Sequence, residues 1–192
     1  MKKALIGYGG HAREVMSQMG VKLTCFVDDE YVRHDDNTVP ISLFNPKEYS
    51  VMIAISDTKV RFDISQKLPK ETKYFTFIHP TTLILGDVEI GHGSFIGAYS
   101  ILTSNIKIGN HAILNRGNHI GHDCSIGHYF SAMPGSIVSG NVTINDCVYL
   151  GTNSSIKEKL TIASLTTIGL NSGVVNNITY SGVYGGTPAI KL

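Results

Sequence analysis

A chain of 192 residues can hold one large domain or two small ones, and 42% hydrophobic with 16% charged residues leaves enough apolar material for a core. Sixteen Lys and Arg against 15 Asp and Glu give a net charge of +1, which excludes the basic excess that a nucleic-acid-binding surface carries. Twenty glycines and no tryptophan argue against a helix bundle, and no apolar run reaches the roughly 18 residues of a membrane span or the shorter core of a secretory signal.

From the N-terminus, residues 3–6 read as a short apolar strand running into Gly7-Tyr8-Gly9-Gly10-His11-Ala12. Residues 12–19 have helical composition and stop at Gly20. A second strand, 23–27, ends in Asp28-Asp29, and a third, 51–55, ends in Ser56-Asp57. A helix over 58–68 and a strand around 74–77 complete a β-α-β-α-β unit. The spacing therefore predicts a small Rossmann-like α/β domain over residues 1–77, with a parallel sheet and binding at the C-terminal strand ends. A glycine turn feeding a helix start offers bare N–H groups to a phosphate. Gly7-x-Gly9-x-x-Ala12 also meets the dinucleotide fingerprint, but a unit half the size of a dinucleotide domain favours a sugar nucleotide over NAD. Turn geometry alone is the plainer explanation of these glycines. His79-Pro80 marks the junction, because the residue before proline is pushed towards extended backbone.

A period of six fills the second half. From Ile84 to Val174 every sixth residue is aliphatic, with Ala132 the smallest, and Ile78 extends the series backwards. Glycine often follows, as at Gly91, Gly97, Gly109, Gly121, Gly127, Gly151 and Gly169, and a small or apolar residue lies four positions on. Neither a helix nor a two-residue alternation produces this pattern. It predicts a solenoid over residues 78–192 in which short strands turn a corner every six residues and three hexapeptides close one triangular coil. The glycines are expected to supply the corner's backbone angles. Coils stacked at roughly 4.8 Å give a prism about 25 Å long, with no inserted loop between Ile84 and Val174.

The hexapeptide pattern resembles the left-handed parallel β-helix of the hexapeptide acyltransferases. That handedness, a trimeric assembly and active sites between neighbouring prisms are what the resemblance implies. The Gly-x-Gly-Gly-His start, Asp28-Asp29, the β-helix and the ending Gly185-Gly186-Thr187-Pro188-Ala189 together resemble the sialic acid O-acetyltransferase and nucleotide-aminosugar N-acetyltransferase family over essentially the whole chain. The resemblance implies that the front unit holds the acceptor's nucleotide. Gly9, Gly10 and His11 would border phosphates and sugar, Asp28 and Asp29 would face base and ribose, and Ser56 would form the other wall.

Of eight histidines, His11, His34, His79, His92, His111, His119, His122 and His128, five lie on the prism, where an outward imidazole is ordinarily just solvated. His122 differs in its setting, Ile120-Gly121-His122-Asp123-Cys124. It lies two residues past an inward aliphatic, so it leaves the wall, and Asp123 can accept from one ring nitrogen and leave the other basic. The family places its catalytic pair in this motif. Gly140 lies three hexapeptides on, at the same corner of the next coil, where the family uses a glycine N–H on the thioester oxygen. Thr152 and Leu170, likewise one coil apart, fall on the face where the family's pantetheine arm runs. Many relatives carry a second histidine nine residues after the first; here it is Ser131, a weaker candidate for contact with the cofactor.

The expected reaction is acetyl transfer from acetyl-CoA to the amine of a UDP-, dTDP- or GDP-linked 4-amino-dideoxy sugar, a building block for surface glycans or glycoproteins. It proceeds by direct attack, with His122 as base and no metal. Sialic acid O-acetylation and a non-catalytic trimer that binds a sugar nucleotide are the alternatives. A zinc site of the γ-carbonic anhydrase type needs histidines five apart, and none are. Cys124 and Cys25 read as core, Cys147 less plainly so, and the absence of a CxxC pair fits a reducing cytoplasm.

Overall fold

The computed structural model describes residues 1–33 and 37–192; His34 lies outside the described residues. The front unit is a five-stranded sheet in the order β3-β2-β1-β4-β5, all parallel, with β1 Lys2–Ile6, β2 Thr24–Val27, β3 Thr38–Pro40, β4 Tyr49–Ile53 and β5 Lys73–Tyr74. Helix α1, Gly10–Met19, follows β1, and α2, Thr58–Lys67, follows β4. Gly20 closes α1 in the left-handed conformation at φ 67°, as a C-terminal glycine does. The Asp57 carboxylate opens α2 by accepting from Val60 N at 2.8 Å.

Three details depart from the pattern. Helix α1 starts at Gly10, so Gly10 and His11 occupy its first turn. The edge strand β3 is too short and proline-bearing to signal itself. The strand expected around 74–77 is two: Lys73–Tyr74 pairs with β4, while Phe77–Ile78 pairs with Phe95–Ile96 and opens the prism.

The rest is a left-handed β-helix of three parallel sheets, in which each strand sits on its counterpart one coil earlier. The step residues from Ile96 to Val174 are at most 4% exposed and form one continuous core. Ile84 and Ile78, by contrast, are 43% and 39% exposed, because no coil lies beneath them. Corner geometry also differs from the expectation. Every sixth residue from Gly93 to Asn171, three after the step, has positive φ, and most of these are not glycine. The glycines after the step serve coil contact instead: a Cβ on Gly121 would stand 2.7 Å from Gly140 N, and one on Gly151 2.6 Å from Leu170 N. The last turn is two residues shorter, with Ile168 beside Tyr184, and Ile190–Lys191 closes it antiparallel to Gly182–Gly185. Among the described residues no helix is long and apolar enough to cross a membrane.

The units share a core and a buried charge. Phe95 and Ile113 of the prism pack with Leu5, Ala12, Val15 and Met52 of the front unit. Arg61 of α2, 0% exposed, donates Nε to the His111 carbonyl at 2.9 Å. Its Nη2 donates to the carbonyls of Tyr129 at 2.8 Å and Phe130 at 3.1 Å. Burial pulls this guanidinium down to about 9, still a cation at neutral pH. Beside it His111 stacks on Tyr129 at 5.1 Å and meets Tyr74 edge-on at 4.5 Å. Burial, then the charges of His92 and Arg61, lowers His111 to about 3.

Arg61→Met is expected to cost about 3 kcal/mol or more, since it strands buried carbonyls worth about 1–3 kcal/mol each, read by thermal or urea melting. A histidine held neutral in the fold gives stability that is whole above the unfolded pKa near 6.5 and drains away as pH falls towards the folded value. Melting should therefore drop by about 5 °C between pH 7.5 and 5, and His111→Phe should flatten that slope.

Candidate active site

At the corner after His119–Ile120 the inward Ile120 is followed by Gly121, then by His122 and Asp123 facing solvent, then by the buried Cys124. Asp123 is one of the left-handed corner residues, φ 59°, and this turn lets two consecutive side chains meet. His122 Nδ1 lies 2.6 Å from Asp123 Oδ2, with the two side chains 59% and 43% exposed. A carboxylate only accepts, so Nδ1 carries the proton and Nε2 keeps its lone pair. Asn105, one coil below, donates from Nδ2 to Asp123 Oδ1 at 2.6 Å. That bond first, and the one from His122 second, hold the Asp123 carboxyl below the usual carboxylate range.

One coil above stands Gly140. A Cβ there would lie 2.6 Å from His122 Nε2 and 2.7 Å from Cε1, so only glycine lets the ring keep this place. Among the described residues nothing accepts from the Gly140 N–H. The corner thus joins a fixed base to an open N–H donor.

A second cluster lies at the head of α1. A cleft of 610 Å³ is lined by Gly10, His11, Glu14, Ser56 and, from the prism, Asn115 and Met133. Glu14 joins the walls: its carboxylate accepts from Arg116 Nη1 at 2.8 Å and Asn115 Nδ2 at 3.2 Å. His11 is 9% exposed; neither ring nitrogen is within hydrogen-bond distance of a partner, and Nδ1 stands 3.7 Å from Glu14 Oε2. Burial, then the charge of Arg61, lowers it to about 4. The glycines here divide by purpose. Gly7 has φ +96° and a Cβ would press on Ile55, so the turn requires it. Gly9 would meet nothing within 4 Å, and Gly10 only the tip of Arg13. No side chain caps α1, so its first N–H groups have no side-chain acceptor at the cap.

The other sequence candidates fall elsewhere. Asp28 and Asp29 are exposed at the end of β2, where the Asp28 carbonyl accepts from Tyr31 N at 2.8 Å, and neither lines the cleft. Thr152 and exposed Leu170 stack on a different corner from His122. Ser131 is a correction: it is 0% exposed, accepts from Arg61 Nη2 and donates to the Ser56 carbonyl, each at 2.8 Å. A hydroxyl so enclosed reaches no cofactor; it belongs to the joint between the units. Cys25, Cys124 and Cys147 are all buried and none is in a disulfide, and burial pushes the thiols of Cys124 and Cys147 up, away from nucleophilic form.

Asn105, Glu14, Asn115 and Arg61 did not stand out in the sequence. Asn105 is reachable by stepping back one coil from Asp123. Asn115 is a polar residue where the period usually puts glycine.

Among known proteins, residues 2–68 match the family model of the PglD N-terminal domain. No curated protein sequence matches the chain. Solved structures match it end to end. WeeI from Acinetobacter baumannii AYE is 28% identical with a TM-score of 0.88, covering 100% of both chains. PerB from Caulobacter crescentus, in complex with CoA and GDP-perosamine, is 25% identical at 0.88, covering 100% of this chain and 97% of its own. The acetyltransferase domain of PglB from Neisseria gonorrhoeae FA1090, 23% identical at 0.87 over 100% and 99%, speaks for the fold alone. The resemblance to nucleotide-sugar N-acetyltransferases therefore extends along the whole chain.

Asn105→Ala should raise the Asp123 carboxyl towards the ordinary range, readable by NMR titration of its side-chain carbon. No change would mean that Asn105 does not tune the pair.

Proposed function

We propose that this chain, a PglD-type front unit joined to a left-handed β-helix, is an acetyl-CoA-dependent N-acetyltransferase acting on the amine of a nucleotide-linked 4-amino-dideoxy sugar. The observation that carries the reading is the His122 ring, bonded to Asp123 and seated over Gly140. An ammonium ion has no lone pair, so the sugar nitrogen must lose a proton to attack. Nε2, kept free by the bond at Nδ1, takes that proton. The acetyl donor supplies a thioester; the nitrogen bonds its carbonyl carbon, the carbon–sulfur bond breaks, and the thiol leaves with a proton. The Gly140 N–H is suited to the carbonyl oxygen as it gains negative charge. An acyl-cysteine intermediate has no candidate here, since all three thiols are buried.

The acceptor end fits the cleft at α1. Its uncapped helix start and unsubstituted Gly9 and Gly10 suit a diphosphate, and the buried His11, whose Nε2 has no hydrogen-bond partner, suits a ring hydroxyl. Among the described residues of one chain this cleft and the His122 corner share neither a bond nor a lining residue. The reading therefore includes a homotrimer in which the cleft of one copy faces His122 of the next.

His122→Ala should lower acetyl transfer about 10²- to 10⁴-fold without moving the melting temperature, since the side chain is exposed. A panel of UDP-, dTDP- and GDP-linked amino sugars, with free sialic acid as the competing acceptor, reads the substrate class. Turnover of sialic acid alone would favour O-acetylation instead. Gly10→Leu should also be inactive, and co-assembly of the Gly10→Leu and His122→Ala chains should restore turnover. Persistent inactivity of the mixture would count against the shared site.

A further inference from the structure

Three consecutive carbonyls, those of Ile55, Ser56 and Asp57, carry the chain from β4 into α2, and all three turn to one buried cluster. Arg61 Nη1 donates to the carbonyls of Ile55 and Asp57. The Ser131 hydroxyl donates to that of Ser56 and itself accepts from Arg61 Nη2. The remaining guanidinium donors go to the prism carbonyls of His111, Tyr129 and Phe130. On its other side the same segment presents Ser56 to the cleft, opposite Gly10 and His11.

Burying a guanidinium is costly, and adhesion between two units does not by itself require one. What the cation adds is direction. Its donors lie in one rigid plane, so they fix the loop and the prism coil in a single register. Ser131 stands between them and extends that plane to the middle carbonyl, the one belonging to the residue that lines the cleft.

We propose that Arg61, acting through Ser131, is a positioning residue for the acceptor side of the site: it holds the 55–57 segment at the height where the cleft takes a nucleoside diphosphate. The assignment rests on the acceptor reading of the cleft given above. Neither residue touches the substrate or the reacting atoms.

The test is calorimetric titration of Ser131→Ala and Arg61→Lys with UDP, dTDP and GDP, and separately with CoA, beside thermal melting. For the nucleoside diphosphate that the unaltered chain binds, Ser131→Ala should weaken affinity about five-fold or more, the worth of one hydrogen bond. Affinity for CoA should stay within about two-fold, a margin below that of one hydrogen bond. Arg61→Lys, which keeps a charge but loses the plane of donors, should weaken the nucleotide further. In turnover the acceptor KM rises while kcat and the acetyl-CoA KM hold. Equal loss for nucleotide and CoA, or loss for CoA alone, would overturn the assignment. If the unaltered chain binds a nucleoside diphosphate and Ser131→Ala binds it as well, only the positioning role falls. If the unaltered chain binds none of the three, the acceptor reading falls and takes this one with it.

Discussion

Closing a triangle with every third hexapeptide settles which residues touch long before any side chain chooses a partner. Backbone bonds lock each strand onto its counterpart in the coil before, as Ile101 on Leu83 and His119 on Ile101. Polar residues at a corner are thereby lined up in columns along the prism. Asn105, Asp123 and Asn141 form one such column, and His122 with Gly140 forms its neighbour. A side chain in a column answers to the residues above and below it. The His122 ring can keep its place only because the next coil brings glycine to the same position, and the Asp123 carboxylate is oriented and made more acidic because the previous coil brings an amide. The geometry of the base is a by-product of the pitch.

The same arithmetic made most of the prism legible. One aliphatic residue in six gave the coil, and a step of one coil from His122 gave Gly140. The same step backwards from Asp123 gives Asn105, a move of equal simplicity. Glycine after the step was harder to interpret, because conformational freedom and close approach both demand it. The left-handed angles fall two residues later, where asparagine, aspartate and glycine cluster at Asn105, Gly117, Asp123, Gly135, Asn141, Asn153 and Asn171. Asparagine and aspartate tolerate that region better than other side chains, so the signal was present under a different residue type. Arg61 carried no signal at all. A cation in a short surface-patterned helix reads as solvated, and its prism partners lie far along the chain, from the carbonyl of His111 to the hydroxyl of Ser131, which leaves no mark on a sequence.

The joint between the units mixes opposing electrostatic demands. A cation with only neutral dipoles for partners sits beside His111, which burial and neighbouring charge keep neutral, and beside a ring of aromatic faces. Protonating His111 would set a second positive charge against the first. Acid conditions therefore weaken the seam. Its apolar part is Phe95 and Ile113 against the front sheet, and its polar part is the guanidinium bonded to prism carbonyls.

The two ends of the prism are not equivalent. At the upper end the shortened turn lays Ile178 on Ile162 and Tyr184 on Ile168, and the Gly186 carbonyl accepts from Gly173 N, so the outermost rungs have spent their backbone groups. At the lower end Leu83, Ile84 and Leu85 stand 43–65% exposed on a rung with nothing below it. An unfinished strand edge with apolar side chains invites another strand to add. Edge-to-edge association would therefore bring lower face against lower face and stop at two copies.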